Sequence, residues 1–67
     1  MTPAQMKAAR ALLGWKQTDL AAESGVSVPT IKNVEGGKTD ARTSTMAAIR
    51  SAFEDAGLRF VDGGVTL

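Results

Sequence analysis

Gln17-Thr18-Asp19-Leu20-Ala21-Ala22-Glu23-Ser24-Gly25-Val26-Ser27-Val28-Pro29-Thr30-Ile31-Lys32-Asn33-Val34-Glu35-Gly36-Gly37-Lys38 reads as two short helices set around a glycine turn. Residues 17–24 suffice for about two helical turns, with Leu20 and Ala21 on one face, and Gly25 supplies the break. Ser27 is a good N-cap for the next helix, and Pro29 suits its first turn, where a missing N–H costs nothing. Ile31 and Val34 then fall three residues apart on one face, and Gly36-Gly37 is a stop signal. Only Gly25-Val26-Ser27 separates the two segments. Short helices joined by such a glycine-containing turn are the signature of a helix-turn-helix.

The flanking residues complete a helical domain. Thr2 can cap a helix that has Pro3 at its first position and Gln5 three residues on to close a capping box. Met6, Ala9 and Leu13 share a face, and Gly14 sits where a left-handed residue would end the helix, so the first helix is predicted over about 3–13. Lys38 to Arg42 is polar and reads as a loop. Thr43 or Ser44 is expected to cap a fourth helix over about 44–56, with Met46, Ile49 and Phe53 on its apolar face and Gly57 at its end. Beyond it, Arg59-Phe60-Val61 and Val65-Thr66-Leu67 read as two short strands around a tight turn at Asp62-Gly63-Gly64. A hairpin of this size is marginal in water, so it must lean on the helices or pair with another chain. The expectation is an all-α, compact four-helix domain over residues 1–57, with helices near 3–13, 17–24, 28–35 and 44–56. A strand-like tail over 58–67 follows as a candidate dimerisation element.

Composition narrows the function. The chain has 67 residues and starts at Met1, which reads as one complete small domain. At this size only about 60% of the unfolded surface is buried, so the core is thin. With no Cys and no His, neither a disulfide framework nor a zinc site is available to reinforce it, and no metal or cofactor is expected. No segment has the roughly 18 apolar residues of a membrane span, and no secretory leader is recognisable, so a cytoplasmic protein without membrane partners is expected. Gly36-Gly37-Lys38-Thr39 invites a phosphate-loop reading, but Lys32 stands where that motif needs its first glycine, and the segment follows a helix. No nucleophile and base are paired, so the chain does not read as an enzyme. The net charge of +1 neither demands nor excludes nucleic acid. Residues 1–38 hold a slight basic excess, with Lys7, Arg10, Lys16, Lys32 and Lys38 against Asp19, Glu23 and Glu35.

Gln17-Thr18-Asp19-Leu20-Ala21, Gly25-Val26-Ser27, Thr30-Ile31 and Glu35-Gly36-Gly37-Lys38-Thr39 together resemble the Xre family of phage-repressor and Cro-like regulators. Helix 1 and helix 4 extend the resemblance over roughly residues 3–57, and the tail is similar to that of a short bacterial subgroup. The resemblance implies a regulator that binds double-stranded DNA, with residues 28–35 as the recognition helix in the major groove and helix 2 crossing the backbone. With Ile31 and Val34 turned to the core, Val28, Pro29, Lys32 and Asn33 face away, and Thr30 lies at the margin. Carried over by position, base contacts fall on Val28, Pro29 and Asn33, with Lys32 beside them. Asn33 is the strongest of these, because an Asn amide pairs bidentately with adenine. Val28 and Pro29 depart from the polar residues common at such places and offer apolar contact to a thymine methyl. Phosphate contacts are expected from Lys16, Gln17, Ser27, Thr30 and Lys38, and less strongly from Arg42, which has Asp40 as a neighbour. Arg10 and Glu35 occupy places where the family often carries a structural ion pair. Trp15 reads as packing at the corner between helices 1 and 2.

One recognition helix touches few base pairs, which motivates a homodimer on two half-sites about 34–36 Å apart. The alternative is a protein-interaction module, antitoxin-like or an adaptor, whose helix-turn-helix is scaffold and whose tail adds a strand to a partner sheet.

Overall fold

The computed structural model describes residues 1–38 and 42–67. Thr39, Asp40 and Ala41 lie outside the described residues, and with them the middle of the loop expected over Lys38 to Arg42 and the Asp40 expected beside Arg42. Four helices, α1 (Pro3–Leu13), α2 (Gln17–Ser24), α3 (Val28–Glu35) and α4 (Thr43–Asp55), precede an antiparallel hairpin of β1 (Arg59–Val61) and β2 (Gly64–Thr66). Local chemistry accounts for most of these limits. Thr2 Oγ1 accepts the Gln5 N–H at 3.1 Å while Gln5 Oε1 accepts the Thr2 N–H at 2.8 Å, a closed capping box at the head of α1. Ser27 Oγ accepts the Thr30 N–H at 3.4 Å at the head of α3.

Gly25 makes the turn between α2 and α3 possible. Its φ is +73°, and a Cβ there would meet nothing within 4 Å, so the demand for glycine is one of backbone conformation and not of space. The turn is braced from within: Ser24 Oγ donates to the Leu20 carbonyl at 2.7 Å and accepts the Val26 N–H at 3.2 Å.

Two limits differ from the sequence reading. Neither Thr43 nor Ser44 caps α4; both lie in its first turn, Arg42 is the N-cap, and no side chain caps the end. The apolar register of Met46, Ile49 and Phe53 settles which face turns inward but not which residue comes first. The stop at Gly36-Gly37 is as expected, with Gly36 capping α3 in right-handed geometry and Gly37 following at φ +68°. Val61 pairs with Gly64, so only Asp62 and Gly63 form the hairpin turn, and β2 begins one residue earlier than expected.

Apolar faces of all four helices meet in one core of Met6, Ala9, Leu20, Ile31, Val34, Ile49, Ala52 and Phe53, which Leu58 closes from the start of the tail. α2 packs on α3 and α4, while α1 packs on α3 and β2. Phe53 is fully buried at the centre of an aromatic row, with Trp15 stacked at 5.8 Å between centroids and Phe60 edge-on at 6.0 Å. The hairpin therefore leans on the helices. Phe53→Ala is expected to destabilise the domain by about 3–5 kcal/mol in urea titration. Leu12→Ala, on the outside of α1 at 48% exposure, should stay within about 0.5 kcal/mol. Similar midpoints for the two variants would displace Phe53 from the centre of the core.

Candidate nucleic-acid interface

Burial of Ile31 and Val34 leaves α3 one outward face. Pro29, Lys32 and Asn33 are exposed on it, and Val28 and Thr30 are half-buried at its margins. Pro29 and Asn33 are four residues apart, so they lie one above the other, with Lys32 beside them. The helix has eight residues, about 12 Å of length. Ser27 Oγ donates to Thr30 Oγ1 at 2.9 Å, which leaves the Thr30 hydroxyl proton free to point outward.

The positions expected at phosphates lie around this face with different freedom. Lys16, Ser27, Lys38 and Arg42 are exposed. Gln17 is half-buried, and its Nε2 donates to Glu35 Oε1 at 3.2 Å, so part of its amide is already engaged within the protein. At the head of α2, Asp19 Oδ2 accepts the Lys16 N–H at 2.8 Å, placing a carboxylate in the first turn. That charge suits the positive end of the helix but opposes a phosphate arriving there. The three-residue spacing of Lys16 and Asp19 carries the signal for this contact, which the sequence analysis missed.

Arg10 and Glu35 hold the interface in place. Arg10 Nε donates to Glu35 Oε2 at 2.7 Å and Nη2 to Oε1 at 2.8 Å, a two-bond fork from α1 to the end of α3. Arg10 Nη1 reaches on to the Trp15 carbonyl at 3.1 Å. Together with Gln17, the fork ties α1, the corner after it, α2 and α3 into one polar cluster. Burial pushes the Glu35 carboxyl up, but hydrogen bonds from Arg10 and Gln17 and the charges of Arg10 and Lys7 outweigh it and hold the group below its ordinary value. Arg10 is held above its ordinary value by the hydrogen bond to Glu35, against the opposing effect of burial.

A family model described as helix-turn-helix, of the Xre-like phage-repressor and Cro kind, matches residues 6–54, from within α1 to the last turn of α4. Among curated proteins, none matches the chain at a significant level. The chain belongs to the helix-turn-helix family, whose domain is a DNA-binding regulatory one and not a catalytic one. No helix among the described residues is long and apolar enough to cross a membrane.

Because the folded Glu35 titrates below its unfolded value, its contribution is complete above the ordinary carboxylate range and is lost as pH falls through the depressed folded value. Stability should therefore decline on acidification from about pH 4.3 downward, and more shallowly in Glu35→Gln. That variant, leaving Arg10 without its counter-charge, should lose about 3 kcal/mol at neutral pH, the low end for buried pairs because Arg10 is 20% exposed. Identical acid profiles for the two proteins would remove Glu35 as a source of the pH dependence.

Proposed function

We propose that the protein is a sequence-specific regulator that lays α3 in the major groove of double-stranded DNA, acting as a homodimer on two half-sites. The observation that carries this reading is the outward face of α3: an exposed amide at Asn33, an exposed cation at Lys32 and the apolar ring of Pro29. Asn33 pairs with an adenine edge, Lys32 reaches a base or the neighbouring backbone, and Val28 and Pro29 contact a thymine methyl. Lys16, Gln17, Ser27, Thr30 and Lys38 set the register on phosphates. Gln17 shares its amide between Glu35 and a phosphate. Because the basic excess is slight and Asp19 stands at the head of α2, base contacts and DNA shape have more to supply than charge does.

A second copy finds its place at the tail, residues 58–67. Among the described residues, two of the three exposed large apolar side chains, Val61 and Leu67, lie there. The two strands pair within their own chain, which favours the regulator over an interaction module that lends a free strand to a partner sheet.

Selection from a random duplex pool tests the reading directly. A two-fold motif with centres about 34–36 Å apart is expected, and recovery of no motif would overturn it. Asn33→Ala should weaken the selected site by about 1–3 kcal/mol with little change on random DNA. Lys38→Ala should weaken both and flatten the salt dependence. Equal losses on specific and random DNA for Asn33→Ala would make Asn33 something other than a base reader.

A further inference from the structure

Gln5 is where the beginning of the chain meets its end. The side chain, with the residue only 8% exposed, donates from Nε2 to both the Val61 and the Gly64 carbonyl at 2.8 Å, across 56 and 59 residues of sequence. Its Oε1 accepts the Thr2 N–H. Both amide hydrogens and the amide oxygen are thus engaged, each with a different backbone group. Val61 and Gly64 are the pair that closes the hairpin turn, so the two bonds grip the hairpin at its tip. Among the described residues these are the side-chain hydrogen bonds that reach the hairpin from the helices. The rest of the attachment is apolar or aromatic: Phe60 against Phe53 under the Arg50 guanidinium, which lies 5.3 Å from its ring centre, and Val65 against the core.

We propose that Gln5 is a positioning residue, the clasp that fastens the C-terminal hairpin to the helices, so that the hairpin docks as a unit while the four helices stay folded when it is released. The inference does not depend on DNA binding. A hairpin of two three-residue strands does not hold itself in water, and what docks it is a small apolar contact plus two directed bonds. A cleft beside it, lined in part by Met1, Gln5, Arg50, Phe60, Val61 and Asp62, brings solvent close to Gln5 and to Val61, one of its two acceptors. Release therefore exchanges two amide bonds for bonds to water and leaves the helical core with its own contacts.

The chemistry of the clasp separates it from a mere space-filling role. A carboxyl in place of the amide has one donor when protonated and none when ionised, and an ionised group would face two carbonyl oxygens. Burial against acceptors and Asp62 across the cleft oppose ionisation, whereas Arg50, the amino end at Met1, the Thr2 N–H and the positive end of α1 favour it. Docking in Gln5→Glu is present while the carboxyl is protonated at acid pH and is lost as rising pH ionises it.

The test follows the Phe60 ring and Val65 methyl resonances by NMR alongside helical circular dichroism, in the full chain. Gln5→Met, equal in length and without donors, should raise hairpin amide exchange roughly tenfold or more, with a smaller change at Leu20 and Ile49. Gln5→Glu should show Phe60 docked at acid pH and released at higher pH, with helicity intact and no such transition in the wild type. Uniform acceleration across hairpin and core, hairpin signals unchanged in both variants, or helicity lost together with docking would each overturn the proposal.

Discussion

The fork between Arg10 and Glu35 is the constraint on which the rest of the domain depends. Each helix of the helix-turn-helix is short, and eight residues of α2 or α3 would not persist alone in water. Apolar contact gathers them but is non-directional and tolerates sliding. A planar guanidinium meeting a carboxylate with two parallel bonds does not, and this one joins the last turn of α1 to the last residue of α3. Its remaining donor holds the corner at Trp15, and the remaining capacity of Glu35 holds Gln17 at the start of α2. The mutual angle of the two helices of the motif thus rests on one half-enclosed charge pair, placed at the end of α3 away from its capped start.

Polar satisfaction elsewhere follows the same economy. No buried side-chain nitrogen or oxygen among the described residues lacks a partner. In a core this thin that matters, because each orphaned group costs about 1–3 kcal/mol, a large share of a small domain's stability. Among the described residues Glu35 and Gln5 are the buried polar ones, and each bonds to groups from more than one element. Polar contacts here do the orienting, and Met6, Leu20, Ile31, Ile49 and Phe53 supply most of the attraction.

Helices and turns were legible in the sequence because their signals are local: Thr2 with Gln5, Gly14, Gly25 and Ser27 each act within one turn of helix. The outward face of α3 was legible by subtraction, once Ile31 and Val34 were taken for the core. What local signals do not carry is a partner far along the chain. Gln5 announced its cap but not its grip on Val61 and Gly64, and Leu58, a single apolar residue outside any periodic run, gave no sign that it closes the core. The Arg10 and Glu35 pairing came from family resemblance and not from spacing, since 25 residues separate them. At the head of α4, Thr43 and Ser44 offered two caps of equal quality, and neither is used.

The contact between the two ends of the chain also orders events in time. A ribosome delivers all four helices before it delivers Leu58, Phe60 and the carbonyls that Gln5 binds. The helix-to-helix contacts span shorter stretches of sequence, whereas the clasp has a loop of more than fifty residues to close and no partner until Val61 and Gly64 emerge. Until then Phe53 lacks its edge-on neighbour and Gln5 its acceptors. The nascent domain thus has its four helices before it has its seal, and the arrival of Leu58 and Phe60 is the step that covers the last side of the core.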